Sequence, residues 1–498
     1  NDRAGYINRP LIIAPGLTGG LAQNQFNTNE LYNHSIVIVM GLRRTSFDRD
    51  LYGCDELGAT FSSCLPGYTE LPQFNPRQTA TDIIGVMKLL NSDALVSIEG
   101  VATSASSHFG TSEGFFNDVD VYTNSYGGTV VSYMAKELQD ATDGGGTPPF
   151  TINRLVVDNG DGPNAKVISQ GFAINLNRTN RLLDACAMNS FCNSNYKDDL
   201  DNLGVWMEEH HNTSITLNID NNQTIENAII YSSTLFTIWD EAWEQSTRSS
   251  NLTGPVIEIL AGVAANASAT NVTIDASSWT DDQFRKMIGI IIEVTIGMPP
   301  LLNEGYASNF IPLDMFLMFL NMQGQNATFT AITEETKREF ISRIGLVCSS
   351  YITRTNDPDS RTFYEQQLMD PTLSPWRYGF LIIYRNILDL CAEEGVKNNL
   401  ASPLLTAPAN VQLEIAEGLI YYGGMDVKHS LESAIDIQSN FKDAELLVED
   451  LRGQAGGPEG GDTAKAVFME FFNSGSDTVN NELVNAANSR GLDRVFGP

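Results

Sequence analysis

Three segments in the first third of the chain read as buried strands. Leu11–Ala14 and Ile36–Met40 are continuous apolar runs, and Asp118–Asn124 alternates and is rich in Val and Tyr. From Tyr126 the spacing turns helical, with Val130, Tyr133, Met134 and Leu138 on one side. Asn75–Leu90 reads as a helix on Ile83, Ile84, Met87 and Leu90, and Ser104–Gly114 reads as a Ser- and Gly-rich loop. Arg154–Val157 is a further strand, ending in the acidic run Asp158-Asn159-Gly160-Asp161-Gly162. Sheet-like sequence returns at Glu417–Tyr422 and Ala444–Glu449, with helices over Leu431–Asn440 and Thr463–Asn473 and a looser tail. Strands alternating with helices predict an α/β fold with a mostly parallel sheet covered on both faces.

The alternation stops in the middle of the chain. Between about 167 and 401 the sequence reads mainly as helices joined by Asn-, Ser- and Thr-rich connections: Trp239–Gln245, Asp281–Gly297, Pro312–Met322, Glu334–Tyr351 and Trp376–Glu394. The predicted organisation is therefore a core formed by residues 1–166 and 402–498, with a helical cap at 167–401 inserted between its halves. The stripes of the cap are what any helical layer needs to bury one face.

The sharpest local signal is the junction at 122–128, Tyr-Thr-Asn-Ser-Tyr-Gly-Gly, where a strand turns abruptly into a helix. A serine there is lifted clear of the sheet, with the free N–H groups of a helix N-terminus beside it, as a nucleophile in an acyl-transfer site must be. The double glycine lets the helix lie close to its neighbours.

Composition narrows the partners. Asp and Glu number 61 against 30 Lys and Arg, a formal net charge of −31, so a phosphate backbone or an anionic membrane face repels the chain and nucleic acid is not expected. Apolar runs are interrupted, Met287–Met298 by Glu293 and Phe310–Leu320 by Pro312 and Asp314, so none approaches the ~20 residues of a membrane span. The acidic run at 158–162 lacks EF-hand spacing and no cysteine pair has C-x-x-C spacing, so no metal site and no cofactor is assigned.

The chain starts at Asn1 without Met, as a product whose leader has been removed would. Its six cysteines suggest disulfides, the simplest pairing being Cys54 with Cys64, Cys186 with Cys192 and Cys348 with Cys391. Glycosylation sequons stand at Asn33, Asn177, Asn212, Asn222, Asn251, Asn266, Asn271 and Asn326, mostly in the middle segment. These features lead to the expectation of a secreted glycoprotein.

Several motifs together resemble the α/β-hydrolase fold and, within it, secreted prolyl and tripeptidyl aminopeptidases. They are Pro15-Gly16-Leu17-Thr18-Gly19-Gly20 after the first strand, Arg43-Arg44-Thr45, Asn75-Pro76-Arg77-Gln78, Asn124-Ser125-Tyr126-Gly127-Gly128 and Gly423-Gly424-Met425-Asp426. The resemblance covers Leu11 to about Gly162 and Glu417 to about Asn473. It implies Ser125 as nucleophile, Asp426 as the acid that orients a histidine, and backbone N–H groups of Gly16, Leu17 and Tyr126 as candidates for an oxyanion hole. It also implies a histidine in the loop after the last strand, where this chain has Gly453-Gln454-Ala455-Gly456-Gly457, with Gly456 at the histidine's place.

His34, His108, His210, His211 and His429 are the only histidines, and His429, three residues after Asp426, stands too close in sequence for the usual imidazole position. Thr123 replaces the glycine usual two residues before the serine, and Arg-Gly-Thr-Gly has become Arg43-Arg44-Thr45-Ser46. The expectation is a hydrolase fold that has lost its activity and serves as an extracellular binding or structural protein, with further copies of itself as the candidate partner in an assembly. The alternative is an active exopeptidase or esterase, acting on peptides or esters through a displaced base.

Overall fold

The computed structural model describes residues 7–14, 34–41, 75–92, 96–98, 101–109, 111–112, 114–164, 167–187, 214–220, 223–229, 271–275, 359–370, 407–426, 429–450, 452–453, 462–475 and 477–489, with a few single positions between them. In chain order the elements are β1 (Ile7–Ile13), β2 (His34–Val39), α1 (Pro76–Leu90), β3 (Val96–Ile98), β4 (Val101–Thr103), α2 (Ala105–Phe109), β5 (Asp118–Ser125), α3 (Gly127–Asp143), β6 (Thr151–Gly160) and α4 (Val167–Ala187). After these come β7 (Ser214–Asp220), β8 (Gln223–Ile229), β9 (Asn271–Asp275), α5 (Asp359–Leu368), β10 (Glu417–Gly423), α6 (Leu431–Gln438), β11 (Ala444–Glu449), α7 (Asp462–Ser474) and α8 (Asp477–Ser489).

Six strands form one sheet in the order β11-β10-β6-β5-β1-β2, and every pairing in it is parallel. The chain leaves β1 toward one edge and β5 toward the other, so the C-terminal ends of these two neighbours flank the point where strand order reverses. Open α/β sheets bind ligands in the crevice at such a point, and Ser125 ends β5 there. A doubly covered parallel sheet with a sharp strand-to-helix turn after β5, the third of its described strands in chain order, is the α/β-hydrolase fold.

Alternation along the strands divides the core. Leu11, Ile13, Tyr122, Val156, Leu419 and Tyr421 pack against Ala464, Val467, Phe468, Phe471 and Phe472 of α7 and Val484 of α8. The intervening residues Ile12, Val121, Leu155, Val157 and Ile420, also buried, point to the other face. There α3 lies on β5 and β6, α6 on β10 and β11, and α1 on α3. Asn75 caps α1, its side chain accepting from the Gln78 N–H at 2.8 Å, and Pro76 takes the first helical position.

Three regions depart from the sequence expectations. The segment expected to be mainly helical contains a three-stranded sheet, β8-β7-β9, with β7 and β8 antiparallel and β7 and β9 parallel. Ser-Ile-Thr-Leu-Asn-Ile-Asp in β7 has the period of a strand, which its Asn and Thr content masks as a connection. The tail holds α8, tied to β11 where Asn488 accepts from the Asp450 N–H and donates to the Val448 carbonyl. The loop at 104–114 contains the short helix α2. The helices expected at 239–245, 281–297, 312–322 and 334–351, and most of 376–394, fall outside the described residues. Among the described residues no helix is long and apolar enough to cross a membrane.

At the opposite end of β5 from Ser125, Asp120 is buried beneath a cluster of donors. His34 Nε2 lies 2.8 Å from Asp120 Oδ2, Arg9 Nε donates to Oδ1 at 3.3 Å, and Asn153 Nδ2 and the Arg154 N–H each donate to Oδ1 at 3.1 Å. Burial alone would raise this carboxyl, but the His34 hydrogen bond and the Arg9 charge outweigh it and hold Asp120 below the ordinary carboxylate range. A carboxyl lowered in the folded state stabilises above its unfolded pKa of ~3.9, and that stability is lost as pH falls through the folded value. Asp120→Asn is expected to cost about 1–3 kcal/mol at pH 7 and to flatten the acid limb below about pH 4, as chemical denaturation at stepped pH would show.

Candidate functional site

Ser125 has φ +47°, in the left-handed region that a non-glycine residue occupies only at a cost of about 1–3 kcal/mol. What holds it there is packing on both sides. The Ser125 carbonyl accepts from the Asp161 N–H at 2.8 Å, breaking the β5–β6 register after Asn124. On the helix side, a Cβ on Gly128 would stand 2.9 Å from both the Asp161 carbonyl oxygen and Gly160 Cα, so only glycine permits so close an approach of α3 to β6. Thr123, in the glycine position of the resembled motif, is buried, its hydroxyl donating to the Ala14 carbonyl at 3.2 Å. Its β-branched side chain is thus accommodated between β5 and β1.

Asp426 closes the turn after β10. Its N–H donates to the Gly423 carbonyl, and its Oδ1 accepts from the His429 N–H, both at 3.0 Å. Ser430 then caps α6, accepting from the Ser433 N–H through its side chain. This turn folds the His429 ring back over the acid: Nδ1 lies 2.7 Å from Asp426 Oδ2, and Nε2 lies 3.2 Å from Ser125 Oγ. Asp426 and His429 are buried and Ser125 is half-buried.

The expectation that His429 stands too close in sequence to Asp426 is corrected here. One carboxylate does two jobs, Oδ1 closing the turn and Oδ2 holding the ring, so three residues suffice to bring an imidazole to Ser125. The premise for an inactive site, that no imidazole reaches the serine, does not hold. Of the other histidines, His34 belongs to the Asp120 cluster and His108 is an exposed residue of α2. His210 and His211 lie outside the described residues, as do Gly456 and the loop from Gln454 onward.

Asp161, singled out in the sequence only as part of an acidic run, lies on the far side of the same ring, its Oδ1 3.4 Å from His429 Nε2. Tyr422 holds the His429 backbone, its hydroxyl donating to the His429 carbonyl at 3.2 Å and accepting from Arg178 Nη2 at 3.0 Å. Burial first, and the Asp426 charge second, push this phenol up to about 12, so Tyr422 stays neutral and acts as a hydrogen-bond relay.

Tyr126 occupies the N-cap of α3, which places its N–H at the open end of the helix next to Ser125. Gly16 and Leu17, the other oxyanion-hole candidates, fall outside the described residues. Cys348 is buried and disulfide-bonded, and the side chains of Cys54, Cys64, Cys186, Cys192 and Cys391 lie outside the described residues. Among the sequons, Asn177 is exposed on α4, and nothing is described of the side chains of Asn33, Asn212, Asn222, Asn251, Asn266, Asn271 and Asn326.

No family model and no curated protein matches the chain. Among solved structures it is similar to one described under novel epoxide hydrolases of the α/β hydrolases superfamily from metagenomes of hot environments. The identity is 10%, over 95% of this chain and 93% of that one, with a TM-score of 0.28. So slight a superposition carries no argument, and the α/β-hydrolase fold rests on the sheet order and on the turn at Ser125.

Proposed function

We propose that this protein is a serine hydrolase that cleaves an ester or amide through an acyl-enzyme on Ser125. The observation that carries the reading is the continuous chain from Ser125 Oγ through the His429 ring to Asp426, at 3.2 and 2.7 Å. In this reading Ser125 Oγ attacks the carbonyl carbon and its proton passes to His429 Nε2, while Nδ1–H stays on Asp426. The oxyanion forms beside the Tyr126 N–H at the head of α3. Nε2 then returns the proton to the departing amine or alcohol. Water attacks the acyl group, giving up a proton to Nε2, and as the acid product departs Nε2 passes that proton to Ser125 Oγ.

The resemblance to prolyl and tripeptidyl aminopeptidases favours short peptides as substrates. Secretion as a disulfide-bonded glycoprotein belongs to the same proposal, supported by the even cysteine count and by sequons such as Asn177. The test is labelling of the purified protein with a fluorophosphonate, with nitrophenyl esters and prolyl and tripeptidyl chromogenic amides assayed in parallel. One label per chain, lost in Ser125→Ala, is expected. A folded protein that takes no label and turns over none of these compounds would overturn the proposal and leave the binding or structural reading.

A further inference from the structure

We infer that Asp161 is a second carboxylate partner of the His429 ring, on the Nε2 side, holding there a proton that must leave before Ser125 can be activated. Its consequence for catalysis rests on the serine-hydrolase reading; its effect on the ring rests on geometry alone.

The ring lies between two buried carboxylates, with Nδ1 2.7 Å from Asp426 Oδ2 and Nε2 3.4 Å from Asp161 Oδ1. Asp161 is fixed in place. Its N–H donates to the Ser125 carbonyl at 2.8 Å, and its carbonyl accepts from Thr129 Oγ1 at 2.9 Å. The residues that follow are pinned to α6: the Gly162 N–H donates to Ser433 Oγ at 2.6 Å, and Asn164 donates to both oxygens of Asp436 at 2.8 Å. A loop held this firmly keeps the Asp161 backbone beside the ring.

A neutral ring with its proton on Nδ1 would leave the Nε2 lone pair 3.4 Å from a carboxylate oxygen, two electron-rich atoms side by side though off line for a hydrogen bond. An imidazolium places positive charge there, attracted to the Asp161 carboxylate while its Nε2 proton faces Ser125 Oγ. Among the described residues, the other ionisable groups around the ring do not cancel this. Tyr422 is neutral, Arg178 reaches only its hydroxyl, Glu432 adds negative charge in the first turn of α6, and Asp158 is matched by Arg452.

Two effects follow. At low pH the ring keeps the Nε2 proton and cannot accept one from Ser125, so the active fraction grows only as that proton is lost to water. Once the serine proton has been taken up, the same carboxylate stabilises the charged ring. Asp161→Asn should therefore move the acid limb of the kcat/KM profile to lower pH while lowering its plateau.

The test that does not depend on turnover is an NMR titration of ¹⁵N-labelled histidine rings in Ser125→Ala, with His429→Gln to assign the signal. The expected midpoint for His429 lies above the ordinary ~6.5 and falls by about one pH unit or more in Ser125→Ala with Asp161→Asn. A midpoint at or below ~6.5 with Asp161 present, or one that Asp161→Asn leaves in place, overturns the inference. Should Asp161→Asn not fold, Asp161→Ser, which also removes the charge, takes its place in the second comparison, because Asp426 alone can raise the midpoint. Failure of fluorophosphonate labelling would count against the hydrolase reading without touching this measurement.

Discussion

Replacing His429 by alanine should lower turnover of the best ester or amide substrate by about 10⁴- to 10⁶-fold, with KM changed far less. A serine hydroxyl is a poor nucleophile near neutral pH, and His429 Nε2, 3.2 Å away, is the imidazole the fold delivers to it. Asp426→Asn should cost on the order of 10⁴-fold, because an amide favours the wrong ring tautomer while leaving the turn in place. The double variant should be little worse than His429→Ala, since groups that act as a unit do not lose activity additively. His108→Ala serves as the contrast, as its ring packs on Phe109 in α2 and is expected to leave turnover unchanged. Steady-state assays on ester and amide substrates check all four. Equal activity of the wild type and His429→Ala would return the base to an unidentified group.

The parallel sheet was legible because strands buried on both faces must be apolar along their length. Leu-Ile-Ile in β1 satisfies that requirement with no knowledge of its neighbours. Ile-Val-Ile-Val in β2 reads the same way, but among the described residues β2 is the edge strand of the sheet and leaves Val37 and Val39 exposed, so the expectation of a buried strand there is corrected. The turn at Ser125 was legible for a similar reason, since a change from strand to helical spacing across a Gly-Gly pair is a local event. What escaped was set by tertiary context. The small sheet of β7, β8 and β9 has strand periodicity written in Asn- and Thr-rich sequence. In α8 the helical spacing of Val479, Leu483, Val484 and Ala487 is diluted by six polar neighbours' worth of Asn, Glu and Ser.

His429 was misjudged for a different reason. Sequence distance from Asp426 was taken as a bar to pairing, whereas a carboxylate that caps the His429 N–H turns short separation into the means of pairing. The signal was present as an Asp three residues before a His, itself next to the helix-capping Ser430. Asp161 had no comparable signal, because only the folded β6 loop brings it across to the ring.

Arg452→Met is expected to destabilise the protein by about 3–5 kcal/mol. Arg452 and Asp158 are both buried, with Nη2 donating to Oδ2 at 3.0 Å and Nη1 2.9 Å from Oδ1 but off line for a hydrogen bond. The guanidinium also lies 4.6 Å from the centroid of the Tyr421 ring. Burial already pushes the Asp158 carboxyl up despite the Arg452 charge, and methionine would leave that carboxyl with no cation beside it. A carboxyl raised in the folded state favours folding where it is protonated, and stability falls as pH rises through the unfolded and then the folded value. The deficit of Arg452→Met should therefore be largest at neutral pH and above, and shrink as pH approaches about 4. Adding Asp158→Asn should recover much of it, because the uncompensated charge goes with the carboxylate.

Chemical denaturation of the single and double variants from about pH 4, the ordinary carboxylate range, up to about pH 8 measures both effects. An Arg452→Met deficit that is independent of pH, and that Asp158→Asn does not relieve, would refute the charge argument and leave lost packing. The same segment reaches the site through its backbone: the Arg452 carbonyl accepts from the Met425 N–H at 3.0 Å, and the Gly453 carbonyl from Asn159 Nδ2 at 3.1 Å. The stretch after β11, where the resembled family carries its histidine, here begins as a brace for the turn that holds Asp426. The imidazole comes instead from the next stretch of chain after that turn, which is why loss of the buried ion pair should weaken the fold and, through it, the geometry at Ser125.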